Sequence, residues 1–405
     1  MQETTFLYPL GYFAIASASF CAAIHLPNPW RLFFTSSLLW TAVLSLRAST
    51  YLGLGSSVSV IWALLVVLWT HHVLSILILD PIDLASVSAS RNLPKWVLAY
   101  KFWNDPRRLT DLESVSPYTR TRIGFVLGRL LKLICCWVLH IWVISPAHLA
   151  YFDYTSKDFG KSRQILVRRT FLSGYGPEIT RRELQIRTFT SVFWIWTTFL
   201  LLDACHILLS ILFVGILRFD NPEEWPSLFG NLFEAYSIRR FWSRFWHTLP
   251  KHACETSGRL VAGKVLKFPI HSRKDKLFMA FWAFLISGVL HDIADWQTEK
   301  SVSLVNNIVF FLANFAAGAI ETVVVEGFRG LKSRCGNGKT RRTLESSFFQ
   351  CTVGFLWVWA FFFWISPKWQ YTKLHAQTKE MELLEWLAKL ASDGRDADSV
   401  RDSWT

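Results

Sequence analysis

Phe284-Leu285-Ile286-Ser287-Gly288-Val289-Leu290-His291 is an apolar run that ends on a histidine. The wider stretch, 277–296, is apolar over the length of helix that crosses a bilayer, about 20 residues. An ionisable group inside such a run is costly to bury and marks a functional candidate. Gly288 leaves that helix bare at one point, so another backbone or a ligand can approach closely. Ser287 and His291 are four apart, as are His291 and Asp295, so on a helix all three share one side. Asp295 either orients the imidazole or ends the helix in solvent, and the residues leave both readings open.

The rest of the chain has the same character. Of its 405 residues 52% are hydrophobic and 16% aromatic, with 21 Trp and 33 Phe. Mean hydropathy is +0.27. That is too apolar for a domain with a full aqueous surface, and the tryptophans suit membrane interfaces. Eight spans are expected, at 8–25, 32–48, 56–79, 124–150, 188–217, 277–296, 303–327 and 346–366. The fold class is therefore an all-α polytopic membrane protein with about eight transmembrane helices, within a range of six to ten. Residues 1–367 read as the membrane-embedded domain and 368–405 as an amphipathic, then polar, tail.

The formal charge is +13, spread over loops between apolar runs, which disfavours a nucleic-acid partner. The loop 328–345 carries six Lys and Arg against Glu345 and is the strongest cytoplasmic candidate. Counting spans back from it puts the basic segment 153–187 on the opposite side, a conflict the sequence does not resolve. The seven cysteines form no CxxC pair, so no metal site and no disulfide framework is expected. The N-terminal apolar run has no basic leader or cleavage site and reads as a retained anchor. His71, His72, His140, His148 and His206 also fall in spans; the expected role of each is a neutral ring hydrogen-bonded to a neighbouring helix.

About forty residues before His291 lies Arg239-Arg240-Phe241-Trp242-Ser243-Arg244-Phe245-Trp246-His247. On an α-helix Arg240, Arg244 and His247 would fall on one side, with Trp242, Phe245 and Trp246 largely on another. That suits an interfacial helix over anionic lipid, and equally an anion-binding wall for a phosphorylated co-substrate. Acyl transfer to an alcohol fits His291 chemically. A hydroxyl is a poor nucleophile until its proton is removed, and burial favours the neutral imidazole that a general base requires.

The Arg-Arg-Phe-Trp-x-Arg-Phe-Trp-His stretch, followed by Phe-x-x-Ser-Gly-x-x-His, resembles the membrane-bound O-acyltransferase superfamily. It is most similar to the wax-synthase-like branch that includes fungal terpenoid and meroterpenoid acetyltransferases. The resemblance covers 220–300. It implies that the helices enclose a catalytic tunnel in which an acyl-CoA donor, acetyl-CoA favoured, meets a lipophilic alcohol. It implies no permanently bound cofactor, the lipid bilayer as surroundings and the endoplasmic reticulum membrane as location. By this resemblance His291 and His247 are catalytic and Arg240, Arg244 and Lys251 contact the co-substrate phosphates. Trp242, Trp246, Ser287 and Asp295 are the expected substrate contacts. Asp292 and Asp295 depart from the more neutral, glycine-containing segment expected after the histidine. The alternatives are a long-chain-alcohol wax-ester synthase, a proton-coupled transporter whose buried histidines and acids relay protons, and a transferase using Cys254 as nucleophile.

Overall fold

The computed structural model describes residues 6–27, 29–53, 56–108, 121–171, 176–298, 305–332 and 347–392. Among them there is no strand. In chain order the α-helices are α1 Leu7–His25, α2 Trp30–Arg47, α3 Ser56–Leu74, α4 Leu84–Arg91 and α5 Lys95–Asn104. Then follow α6 Arg122–Leu139, α7 Ser145–Tyr151, α8 Lys161–Gln164, α9 Leu166–Phe171 and α10 Arg181–Ser210. The last five are α11 Ile238–Arg240, α12 Lys251–Leu260, α13 Arg273–Thr298, α14 Asn306–Lys332 and α15 Ser347–Ser392.

Among the described residues seven helical stretches are long and apolar enough to cross a membrane: Leu7–His25, Val58–Leu79, Arg122–His148, Arg181–Ile216, Arg273–Thr298, Asn306–Gly327 and Phe348–Leu390. They correspond to seven of the eight expected spans. The remaining one, α2, is helical over the expected range but is not among the seven. Its Thr35, Ser36, Ser37, Thr41 and Ser45, with Arg31 and Arg47 near its ends, dilute its apolar character. The basic loop and Cys335 fall largely or wholly within 333–346, outside the described residues.

The chain divides into two compact units, Met1–Arg122 with Leu217–Phe355 and Ile123–Ile216 with Leu356–Thr405. In the first, α1, α2, α3, α5 and α13 close on one apolar core. Ala16, Ala23, Ala42, Ala63 and Ala99 let the helices approach, and Phe20, Val66, Ile76 and Phe102 fill between them. Small residues serve this purpose where lipid removes the hydrophobic drive between helices. Buried polar atoms pair locally: Ser45 Oγ donates to the Pro9 carbonyl at 2.7 Å and Trp62 Nε1 to Ser45 Oγ at 3.2 Å. Leu290 and Ala294 of α13 join this core, which fixes the rotation of the helix that carries His291.

A buried carboxylate organises the return of the chain into this unit. Asp220 accepts from Tyr100 at 2.9 Å, from Trp225 Nε1 at 2.9 Å and from the Lys101 ammonium. Lys101 also reaches Glu224 at 2.6 Å. Burial first, then the bond to Asp220, pushes the Tyr100 hydroxyl well above its ordinary value, so it remains a donor.

In the second unit Phe159, Ile186 and Tyr371 form a small core with Phe152, Tyr154 and Leu374. Glu183 is buried and pairs with Arg163 and with Arg169 at 2.5 Å. The fully buried Arg187 donates to the Phe363 carbonyl at 3.1 Å. Two of the span histidines, His72 and His140, bond a neighbouring helix as expected, and His148 bonds a tyrosine just past the end of its own helix. His72 in the first unit bonds the Phe102 carbonyl at 2.7 Å. In the second, His140 accepts from Trp196 Nε1 at 3.3 Å and His148 pairs with the Tyr154 hydroxyl at 3.0 Å.

Candidate active site

The whole site lies in the first unit and begins with how α13 meets α14. A Cβ added at Gly288 would sit 2.7 Å from the Ile308 Cα, so the approach that Gly288 permits is taken by the backbone of α14. One turn on, Asp292 caps that helix. Its Oδ1 accepts from Asn307 N at 3.0 Å and from Asn307 Nδ2 at 2.8 Å. Its Oδ2 accepts from Ile308 N at 3.2 Å. A carboxylate there satisfies donors that helix geometry leaves unpaired and meets the positive end of the helix dipole. Asp295 is buried and accepts from Asn307 Nδ2 at 2.5 Å. The two acids that depart from the family pattern therefore tie α13 to α14.

His291 is thus held from two sides, by Leu290 and Ala294 in the core and by Asp292 and Asp295 on α14. Its half-buried ring rests on Phe311 with centroids 5.1 Å apart. Ser287, one turn earlier, is half-buried.

The Arg-Phe-Trp stretch is not the regular α-helix on which its faces were read. Only Ile238–Arg240 is α-helical, followed by one π-helical turn over Phe241–Phe245. Trp246 is already extended, at φ −69° and ψ 153°. Arg240, Arg244 and His247 therefore do not form the expected helical side: the wider turn shifts the register and His247 lies past its end. Burial of Phe241, Phe245 and Trp246 accompanies this shape. The turn is closed by Trp246 N donating to the Phe241 carbonyl at 2.7 Å and Gly230 N to the Phe245 carbonyl at 2.8 Å.

That extended exit turns the His247 ring against Phe229, edge-on at 5.8 Å, and beside Trp246 at 5.6 Å. Its Nδ1 is buried without a hydrogen-bond partner. Burial pushes its pKa down to about 3, helped by the nearby His291 and by the Arg107 guanidinium. His247 and His291 are thus within electrostatic reach of each other, and His247 is a neutral imidazole.

Trp242 completes the arrangement. Its ring meets Phe284 edge-on at 5.8 Å and Phe311 at 5.6 Å, and its Nε1 donates to Asn314 Oδ1 at 2.9 Å. Trp246 packs on Phe241 at 5.3 Å and on Trp242 at 5.6 Å. An unbroken series of ring contacts runs from His291 through Phe311, Trp242 and Trp246 to His247. The three cations sit differently. Arg240 pairs with Glu234, donates to the Glu234 carbonyl at 3.1 Å and covers the Tyr236 ring at 4.4 Å. Lys251 is exposed, 3.9 Å from Glu255, and Arg244 is exposed.

Sequence reasoning passed over α14. Asn307, Asn314 and Glu321 recur every seven residues in an apolar span, a visible signal of one polar face. It also gave no role to Arg107, which donates to the Ser227 carbonyl at 3.3 Å beside the His247 loop.

This site lies in a stretch with known relatives. Residues 225–313, from Trp225 to the turn of α14 that holds Phe311, match the membrane bound O-acyl transferase family. The polytopic helical fold and this match bear out the resemblance read from the two motifs. Acetyltransferase atnC from an Arthrinium species is 32% identical over 189 residues, 46% of this chain and 41% of that protein. Acetyltransferase spyB of Aspergillus fumigatus is 30% identical over 197 residues, 47% of this chain and 33% of that protein. Acetyltransferase TRI7 of Fusarium sporotrichioides is 28% identical over 211 residues, 49% of this chain and 46% of that protein. The chain thus spans less than half the length of these curated relatives. No solved structure matches it.

Proposed function

We propose that the protein is an acyl-CoA-dependent O-acyltransferase, acetyl-CoA being the favoured donor. The acceptor is the hydroxyl of a lipophilic molecule, a terpenoid or meroterpenoid of secondary metabolism. The observation that carries this reading is the half-buried His291 within electrostatic reach of a neutral His247, in an aromatic enclosure. The relatives that share this stretch are themselves named acetyltransferases.

In the reaction His291 takes the acceptor's hydroxyl proton as the oxygen attacks the thioester carbonyl carbon. A C–O bond forms and the carbonyl oxygen gathers negative charge. His247, neutral and turned to the tautomer that donates, hydrogen-bonds that oxygen and lowers the barrier. The C–S bond then breaks, and His291 returns the proton to the departing CoA thiolate. Trp242 and Trp246 supply apolar walls for acyl group and acceptor, and Ser287 reaches the acceptor from one turn away. Asp295 belongs to the site through its hold on Asn307. Arg244 and Lys251 are exposed cations suited to the co-substrate's phosphates. Arg240, already paired with Glu234, shapes the turn. The membrane we propose is that of the endoplasmic reticulum, which subcellular fractionation tests.

The decisive experiment uses membranes from cells expressing wild type, His291→Ala and His247→Ala. They are given acetyl-CoA with a panel of hydroxylated terpenoids, and ester products are read by mass. His291→Ala should lower turnover by roughly 10²–10⁴-fold, the usual contribution of a general base. Wild-type turnover in folded His291→Ala would overturn the mechanism. Esters formed only from long-chain acyl-CoA and long-chain alcohols would replace it with wax-ester synthesis. Proton flux without acyl-CoA consumption would replace it with transport.

A further inference from the structure

The inner face of α14 repeats Asn307, Phe311, Asn314, Gly318 and Glu321 at alternating spacings of four and three. Such residues lie along one helical seam. Asn307 holds Asp292 and Asp295 at one end. Phe311 carries both His291 and Trp242. Glu321 accepts the amides of Ile238 at 2.6 Å and Arg239 at 3.1 Å at the other end. The one helix therefore sets the spacing between the histidine helix and the Arg-Phe-Trp turn.

Asn314 is the member of this seam whose chemistry is not explained by capping. It is fully buried, in a span where a primary amide is costly. Both ends of the amide are committed: Nδ2 donates to the Phe310 carbonyl at 2.9 Å and Oδ1 accepts from Trp242 Nε1. The carbonyl demands a donor and the indole an acceptor, so the amide has one orientation. Ring contacts alone let an indole slide over its neighbours; a hydrogen bond to its single N–H fixes it along the helix. Trp242 leans on Phe311, and Phe311 carries His291. The position of the indole therefore governs the room beside the imidazole.

We infer that Asn314 is a positioning residue: it pins Trp242 against Phe311, and by limiting the room beside His291 it confers preference for a short acyl group. The assignment rests on the acyltransferase reading. It is tested on the full chain in membranes, measuring kcat and KM with acetyl-CoA and with hexanoyl-CoA. The variants are Asn314→Leu, Asn314→Asp, Trp242→Phe and the double Trp242→Phe/Asn314→Leu. Asn314→Leu keeps the bulk but removes the acceptor, and should cut the acetyl-over-hexanoyl ratio of kcat/KM by about tenfold through misplacement of the wall. Asn314→Asp keeps an acceptor oxygen and should hold the ratio within about twofold. The double variant should match Trp242→Phe alone, because with the indole gone Asn314 has no N–H left to hold.

A general loss of packing would lower both donors alike and leave their ratio unchanged; that result, or losses that multiply in the double variant, overturns the assignment. Should Asn314→Leu not fold, Asn314→Ala, which removes the acceptor and adds no bulk, gives the same ratio test. A wild type that transfers neither acyl group brings down the functional reading and this assignment together. Transfer by the wild type with an unchanged ratio in the variants brings down the assignment alone.

Discussion

His247 keeps its ring Nδ1 enclosed and without a hydrogen-bond partner, as the structural His72 also does. Its depressed pKa has a consequence for stability. In the unfolded chain this imidazole takes up a proton near 6.5, whereas in the folded chain it resists until about 3. Between those values the unfolded state binds more protons, so its contribution to stability falls as pH falls. His247→Asn removes that contribution. The melting temperature of the wild type should therefore drop more between pH 7.5 and pH 5 than that of the variant. Equal drops would mean that the ring is not enclosed. Asp292, the carboxylate next to the candidate base, has its oxygens committed to Asn307 and Ile308.

At the scale of elements, Glu321 is to the Arg-Phe-Trp turn what Asp292 is to α14. Its carboxylate takes two backbone amides at the start of α11, and Ser237 Oγ takes that of Arg240 at 3.1 Å. Glu321→Ala leaves the first two amides without that acceptor and should destabilise the protein by about 1–3 kcal/mol. Glu321→Gln, which keeps an acceptor oxygen, should recover part of that. Thermal melts in detergent measure both. These caps also show where sequence reading stops. The helix bearing His291 was legible because hydropathy and the four-residue spacing of Ser287, His291 and Asp295 are local properties. The π-helical turn was not, because an α-helical wheel assumes a fixed rotation per residue and the packing of Phe241, Phe245 and Trp246 departs from it. The seam on α14 was half legible. Its sevenfold polar spacing is written in the chain, but its partners Asp292, Trp242 and Ile238 are set only by the fold. Arg240 shows the same limit: a cation beside tryptophans suggests a phosphate, and only the fold brings Glu234 beside it.

At the scale of the whole molecule, the apolar surface requires an apolar solvent. Ile123 and Trp142 are each 75% exposed along the stretch Arg122–His148, and Val323 on α14 is 70% exposed. Rings and branched chains in such numbers are stable against lipid and would drive aggregation in water. The protein should therefore stay with the membrane pellet under alkaline carbonate and require detergent for release. Release by carbonate alone would contradict the span assignment. α15 is 46 residues long, about 70 Å at 1.5 Å per residue, against a hydrocarbon core of about 30 Å. More than half of it must therefore lie outside the hydrocarbon or run steeply tilted, and the Lys, Glu and His side chains after Pro367 suit its outer part to water and headgroups.

The seam on α14 also bears on how such proteins can be recombined. The stretch that matches the family ends at residue 313, inside α14 and one position before Asn314. Exchange of 225–313 for the corresponding stretch of a relative would part Trp242 from its acceptor and the 238–239 amides from Glu321. A junction placed after Glu321 moves the tryptophan, its amide partner and the cap together. The natural unit of exchange for this site is therefore longer than the stretch that matches the family.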